Sequence, residues 1–482
     1  MPCPRHGATA RSSGCPRPAS PSSRVARGSP SLRVAVVLLT RDLRVHDHPA
    51  LAAASEAADE VVPLFVFDRA VLKRFGAPNR VAFLLDSLRD LAASLRERGG
   101  ALFVREGDVV AEAMRVAAEA KAEAIFVSDD VSAYAQAREL RLAEACEQHG
   151  IELHVMPGVT VIPPGAVAPD GGDAYKVFTP YWRRWSETPR RALARTPRAV
   201  TVPGALARGH LPALADLARG DVSPELPAGG ESEGAKRVKA WLASGVARYD
   251  ERHDDLAADG TSRISAHLHF GCLSPLAVAE RAREHAGAAP FVRQLCWRDF
   301  YAQLLGSRPD TPREDFRSRG DRWRDDEAGL TAWKEGRTGF PIIDAGMRQL
   351  AREGFMHNRA RLLTASFLTK DLAIDWREGA AHFFGLLVDG DLANNVGNWQ
   401  WVAGTGVDTR PNRVFNPITQ AKRFDPEGEY VRRYVPELEG IEGGGVHEPW
   451  KLERPPKDYP EPILDHREAV ARLRAMHETR DR

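Results

Sequence analysis

From residue 33 to about residue 160, short apolar runs alternate with longer amphipathic stretches. The runs are VAVVLL (Val34–Leu39), VVPLFVF (Val61–Phe67), ALFV (Ala101–Val104), AIFV (Ala124–Val127) and Ile151–Val155. The first four are apolar at consecutive positions, so strands covered on both faces are expected, as in a parallel sheet. Helical stretches such as Arg80–Arg98 and Asp108–Ala122 lie between them. This alternation predicts a doubly wound parallel α/β sheet, with ligands beyond the carboxyl ends of the strands. The loop Thr40-Arg41-Asp42-Leu43-Arg44 follows the first strand and is placed for that role. No GxGxxG or P-loop pattern follows it, so neither a Rossmann dinucleotide site nor a P-loop ATP site is indicated.

The periodicity fades between 163 and 230, where Pro and Gly recur in VIPPGAVAPDGGD and PELPAGGE. A connector is expected there, interrupted by an aromatic island at Val177-Phe178-Thr179-Pro180-Tyr181-Trp182. From about 231 the pattern is helical to the end. The expected organisation is an α/β domain (33–162), a connector (163–230) and an all-α domain (231–482). A chain of 482 residues is long for a single core, which agrees. Residues 1–32 are rich in Arg, Ser, Pro and Gly and hold no acid. They read as a disordered extension, with a transit segment or a start placed too far upstream as the other readings.

Composition narrows the class. With 43% hydrophobic and 28% charged residues the chain looks like an ordinary globular protein, and no apolar run is long enough to cross a bilayer as a helix. A net charge of +1 neither requires nor excludes nucleic acid, because a basic groove can hide inside a balanced total. Cys3, Cys15, Cys146, Cys272 and Cys296 are odd in number and scattered, which argues against a disulfide framework or a zinc site and for a reducing, cytoplasmic setting. No metal site is expected.

The chemistry concentrates in the helical half. In DGDLANNVGNWQWVAGTGVD (Asp389–Asp408), Asp391, Asn395 and Trp399 recur every four residues and form one helical stripe. A carboxylate, an amide and an indole suit a wall against a flat, polar-edged ring system. The same stretch also reads as a capped helix with Asp391 near its start and Trp399 and Trp401 in a core. Thr261, Ser262 and Ser265 precede a helical run and read as an N-cap, which is also a place for an anion. Gln294, Trp297, Arg298 and Tyr301 share a helical face suited to stacking on bases and touching phosphate. In MHNRAR, Asn358 and Arg361 lie one turn apart ahead of the apolar LLTASFL, so Arg361 needs a charged or polar partner.

Taken together, the blocks TRDLRVHDHPAL, DGTSRISAHLHFGCLSP, WRDFY, TGFPIIDAGMRQL, MHNRAR, KDLAIDWREG, DGDLANNVGNWQW and FNPITQ resemble, in order, the photolyase and cryptochrome family of blue-light flavoproteins. The resemblance covers nearly all of residues 33–465 and is closest to dimer-repairing DNA photolyases of bacteria. It implies FAD buried in the helical domain. Tyr249, Thr261, Ser262 and Ser265 would hold the pyrophosphate, and Arg263, Ile264 and Trp297 would also contact the cofactor. Arg361 and Asp389 would pair beside the isoalloxazine. Asn358 and Asp391 would contact the flavin and its ribityl or adenine side, and Asn395 would face the flavin N5. Trp399, Trp376 and Trp323 resemble the family's electron wire. The implied partner is damaged DNA, with a pyrimidine dimer stacked on Trp297 and Trp401, Gln294, Arg298 and Leu362 around it, and Arg359 and Arg413 on phosphates. A monomer is sufficient for all of this.

The sequence departs from the family pattern in places. Gln294 stands where dimer photolyases carry a glutamate, Leu362 where they often carry a methionine, and His253 near an expected arginine. Ala135 stands near the position of an antenna-binding glutamate, and the loop Gly306 to Glu314 has no lysine. A deazaflavin is therefore expected as the second chromophore rather than a folate, if there is one. The alternative function is a cryptochrome-like photoreceptor without repair. A third reading, a flavin electron-transfer protein with no DNA partner, does not explain Trp297, Trp401, Arg359 and Arg413 together.

Overall fold

The computed structural model describes residues 32–408 and 413–480. The expected extension therefore lies outside the described residues, apart from Leu32, which opens the first strand.

Among the described residues five strands form one all-parallel sheet in the order β3-β2-β1-β4-β5. They are β1 (Leu32–Leu39), β2 (Ala58–Asp68), β3 (Phe103–Gly107), β4 (Ala124–Ser128) and β5 (Glu152–Met156). The consecutive apolar positions of β1 divide between the faces, as strand geometry demands. Ala35, Val37 and Leu39 pack with Phe83, Leu88 and Leu91 of the helix Pro78–Arg96. Val34, Val36 and Leu38 pack with Val109, Ala113 and Val116 of the helix Val109–Ala120 on the other side. The third strand is displaced from its expected place. Ala101 and Leu102 are buried ahead of it, while Arg105 and Glu106 belong to the strand itself. An edge strand pairs through its backbone on one flank and can carry polar residues that an apolar-run criterion misses.

The connector is more ordered than its composition suggests. The aromatic island starts a helix, Phe178–Glu187, whose Phe178, Tyr181 and Trp185 form one buried face. Trp185 donates its indole N–H to Asp299 at 2.9 Å. Burial pushes the Asp299 carboxyl up to about 6, against the pull of Arg298 and of N–H groups from Trp185, Ile162 and Val161.

Beyond residue 231 the chain is helical. The helices Ala289–Ser307, Pro341–Glu353, Asn358–Ser366, Trp376–Leu386 and Leu392–Ala403 supply most of the chemistry. Ile343, Leu350, Leu363, Phe367, Trp376, Phe383 and Trp399 are buried in one cluster among them. A π-helical turn, Phe367–Asp371, follows Asn358–Ser366.

Sheet and helices meet at the loop after β1. Arg44 is buried there and donates to the carbonyls of Asp47, Gly158 and Gly271, each at 2.9 Å. Leu43 N–H donates to Phe270 O at 3.2 Å. Gly271 has φ +68°, and a Cβ on it would lie 1.9 Å from Arg41 O, so only glycine fits this approach.

His267 packs edge-on against Phe83 at 5.1 Å, joining the helical part to a sheet-covering helix. Burial first, and then the charge of Arg237, lowers its pKa to about 4. The sign follows directly. The folded state resists protonation while the unfolded chain accepts a proton near 6.5, so this stability is present above 6.5 and is lost as pH falls from 6.5 toward 4. His267→Leu is expected to shrink the stability difference between pH 7.5 and pH 5 by about 2 kcal/mol. Urea unfolding at the two pH values checks this, and an unchanged difference would place the proton uptake elsewhere.

Candidate functional site

The site grows out of three residues, Asp389-Gly390-Asp391, at the entrance to the helix Leu392–Ala403. The two carboxylates serve different neighbourhoods. Asp389 Oδ2 accepts from Arg361 Nη2 at 2.9 Å and from Ser265 Oγ at 2.6 Å. Asp391 Oδ2 accepts from Arg41 at 2.5 Å, while its Oδ1 caps the helix by accepting from Asn394 N at 2.9 Å. Burial acts to raise the Asp391 carboxyl. Arg41, then His269, then Arg298 outweigh it and hold the group well below the usual carboxylate range.

The Asp389 side gathers residues from four separated blocks of sequence. Arg361 comes from the helix Asn358–Ser366 and also donates to Met356 O at 2.7 Å. Arg263 pairs with Glu353 at 2.8 Å and with Asp259 at 2.6 Å. The guanidinium carbons of Arg263 and Arg361 lie 4.9 and 5.3 Å from the centroid of Phe355. Ser265 and Asn358 are exposed, and Ile264 is buried beneath them. Two polar atoms here are buried without a protein partner, Thr261 Oγ1 and Asp389 Oδ1. Buried polar atoms of this kind call for a partner that the protein does not supply, such as a water or a ligand's polar group. The expected Thr/Ser cap is not what starts the next helix. Its N-cap is Ile264, without a side-chain cap, because Arg263 takes φ +49° and turns the preceding hydroxyls off the helix axis. Tyr249 stands at the far side, with its ring edge-on to Trp241 and Phe291.

In the helix Leu392–Ala403, Asn395 donates to Ala380 O at 3.0 Å, which fixes its amide against the helix Trp376–Leu386. Trp399 is buried one turn later, 4.9 Å from Phe383. Gly379 makes the fit possible, since a Cβ there would lie 2.2 Å from Trp399 Cη2. Trp376 is fully buried, and its indole N–H donates to Asp315 at 2.9 Å. Trp323 is half-buried against the same core. Trp333, which the spacing argument passed over, is fully buried and lies 6.1 Å from Trp399. Its own indole N–H donates to Thr364 O.

On the helix Ala289–Ser307, Gln294 is exposed and Trp297 half-buried. Trp297 lies flat on Phe178, with centroids 3.6 Å apart and planes 3° from parallel. Trp401 donates its indole N–H to Asp408 O at 2.9 Å, and Asp408 Oδ2 accepts from Phe178 N at 3.2 Å. The two tryptophans are thus tied through Phe178 and Asp408. Leu362 is half-buried against the central core. Arg413 is exposed, with its guanidinium carbon 4.7 Å from the Phe415 centroid.

One expectation for this face needs correction. Arg298 does not project with Gln294 and Trp297. Its guanidinium turns inward to Val159 O at 2.6 Å and Leu268 O at 3.2 Å, where those carbonyls need a donor and Asp391 and Asp299 supply negative charge. Arg359 is held by Asp254, with Nε to Oδ1 at 3.1 Å, and lies over Phe424 at 4.2 Å. A phosphate would have to share it. Asp254 left no trace in the sequence pattern, because it lies 105 positions from its partner.

Comparison with known proteins gives a consistent result. Residues 35–200 match the family described as DNA photolyase, and residues 291–479 the FAD binding domain of DNA photolyase. The chain is 55% identical over 450 residues to a deoxyribodipyrimidine photo-lyase of Streptomyces griseus, covering 92% of this chain and 98% of that one. Among solved structures it is similar to a bacterial class III photolyase from Agrobacterium tumefaciens (TM-score 0.87, 32% identity, 95% and 100% coverage). It is also similar to a cryptochrome of Synechocystis sp. PCC6803 (TM-score 0.85, 28% identity, 93% and 100% coverage).

The tight seat of Trp399 generates a prediction. Gly379→Ala is expected to cost about 1–3 kcal/mol by overpacking. It should also shift the near-ultraviolet circular dichroism of the buried indoles. Unchanged stability and spectrum would mean that the helix Trp376–Leu386 can move away from Trp399 at no cost.

Proposed function

The chain belongs to the DNA photolyase family, and we propose that it uses blue light and FAD to split cyclobutane pyrimidine dimers in DNA. The observation that carries this reading is the Asp389 constellation. Ser265 and Arg361, 96 positions apart in the sequence, converge on one carboxylate, and two buried polar atoms there have no protein partner. That donor set fits a flavin dinucleotide. Tyr249, Thr261, Ser262 and Ser265 would hold its pyrophosphate. Arg361, Asp389, Asn358, Asp391 and Asn395 would hold the isoalloxazine and ribityl parts. When bound and reduced, FAD supplies the photoexcited electron that opens the cyclobutane ring.

The protein's own part is binding, orientation and exclusion of water. A dimer stacks and pairs poorly, so flipping it out of the duplex costs less than for a normal base. Trp297, backed by Phe178, and Trp401, fixed through Asp408, present two aromatic surfaces for it. Gln294 is exposed beside them and would donate its amide to a thymine carbonyl, although it has no proton to give. Arg413 and the Asp254-held Arg359 would meet DNA phosphates, so lesion affinity should fall as salt rises. Asn395 is a neutral amide and tolerates a change of flavin charge without taking up a proton. We place Trp399, Trp376 and Trp323 on the route that refills the flavin with electrons. The second chromophore, if present, is assigned as a deazaflavin in the α/β domain. Among the described residues no helix is long and apolar enough to cross a membrane. A cytoplasmic monomer is proposed.

Chemically reduced protein mixed with a thymine-dimer oligonucleotide should lose dimer in blue light and not in the dark. Light-independent persistence of the dimer, with FAD bound and photoreducible, would move the reading to a cryptochrome-like receptor, with Gln294 and Leu362 the first residues to examine. Trp399→Phe should retain FAD and lose light-driven flavin reduction, while repair by the chemically reduced variant continues. Trp297→Ala should weaken lesion binding by on the order of 1–3 kcal/mol, one lost stack. Its flavin spectrum should stay intact, and loss of FAD would put Trp297 on the cofactor side instead. Recovery of a bound folate from purified protein would overturn the deazaflavin assignment.

A further inference from the structure

A cavity of about 530 Å³ opens beside Trp323, away from the Asp389 site. Its volume is that of a small-molecule site. Trp323 stands in its wall, the helix His466–Arg480 contributes Arg472, Leu473 and Met476, and the floor carries Thr369, Lys370 and Ala373. Three features set this cavity apart from an ordinary surface groove. The floor is the π-helical turn Phe367–Asp371, a geometry that is rare and recurs at functional sites. Ala373 holds φ +56°, a left-handed conformation that a non-glycine residue adopts only when its surroundings impose it. Among its lining residues the cations Arg322, Lys370 and Arg472 outnumber the one acid, Asp321.

Lys370 is almost wholly buried and donates to Ala403 O at 2.5 Å, while Arg472 donates to Asp371 O at 2.8 Å. The π turn therefore holds cations at the floor and side of the cavity, and Leu473 and Met476 leave an apolar strip opposite the indole. The backbone N–H of Arg324 donates to Ala373 O at 2.7 Å, which pins Trp323 to the segment that leads into Trp376. This arrangement suits a small anion with a flat or apolar body.

We propose that this cavity is a docking site for a small anionic one-electron reductant that restores Trp323. The inference rests on the placement of Trp399, Trp376 and Trp323 on one electron route. The step balances simply. Trp323, left as a radical cation after its electron has passed inward, takes one electron from the docked donor and returns to the closed-shell indole. The donor becomes its one-electron-oxidised radical, and no bond at the protein forms or breaks. The cations raise the local concentration of an anionic donor at the end of the route, an effect that salt screens.

Ascorbate, a flat monoanion at neutral pH, is the probe, with uncharged dithiothreitol as its comparison. In the dark, saturation-transfer NMR on the full chain should show ascorbate contact that Arg322→Glu reduces and Arg322→Glu/Arg472→Glu removes. After a laser flash, the decay rate of the tryptophan radical should rise with ascorbate and level off, and rise only linearly with dithiothreitol. The half-saturating ascorbate concentration should increase at least five-fold in Arg322→Glu, whose exposed side chain makes that variant safe for folding even if the double variant is not. Decay that rises linearly with ascorbate, with the same slope in wild type and Arg322→Glu, would overturn the docking site while leaving the electron route intact. Dark binding of ascorbate with no tryptophan radical after the flash would overturn the assigned use of the cavity through failure of the route itself.

Discussion

A buried guanidinium stands at the centre of the contacts that hold the two halves of this molecule in register. Arg44 leaves the carboxyl end of the central strand and is buried where the sheet meets the helices. There it ties carbonyls from three stretches of chain, around residues 47, 158 and 271. Burial pushes its pKa down, opposed by Asp42, Asp47 and Glu231. A buried cation of this kind is weak evidence of net stability, because desolvation offsets most of what its partners return. Its effect is on specificity. Removing it would leave several buried carbonyls without donors, which disfavours any other docking of the halves.

Everything at the site inherits that constraint. Arg41, three residues earlier, can reach Asp391 only because the loop after β1 is fixed. Asp391 then caps the helix that carries Asn395 and Trp399, and Asp389, two residues before, closes on Arg361 and Ser265. The order of contacts runs from the sheet loop to the helix cap, to the carboxylate pair, to the indoles. None of these contacts is strong alone. Each decides the position of the next.

The fold class was legible because it rests on periodicity, which is local. Consecutive apolar runs separated by amphipathic stretches leave few arrangements other than a covered parallel sheet, and β3 escaped accurate placement only because an edge strand tolerates Arg105 and Glu106. The apolar run after Arg361 showed that this arginine needs a charged or polar partner, and only the family resemblance named Asp389 as that partner. What stayed hidden depends on long-range geometry. Nothing near Arg359 announces Asp254, and nothing near Arg298 says that its side chain turns toward Val159 rather than outward with Trp297. Trp333 was passed over because indole spacing along the chain does not report distance across a core. The connector was misjudged in detail because Pro and Gly on either side masked a ten-residue helix that begins in the aromatic island.

That short helix has a consequence for how this chain can vary. Phe178 backs Trp297 and hydrogen-bonds Asp408, Trp185 holds Asp299, and Tyr175 exchanges hydrogen bonds with Gln303. Residues 175–185 are therefore threaded into the catalytic half although they precede it in sequence. Length changes between the halves have to be absorbed elsewhere, in the stretch after Val202 that carries little regular structure before residue 231. A chimera that joins the sheet of one relative to the helices of another should take its junction there, and should carry residues 175–185 with the donor of the helices rather than with the donor of the sheet.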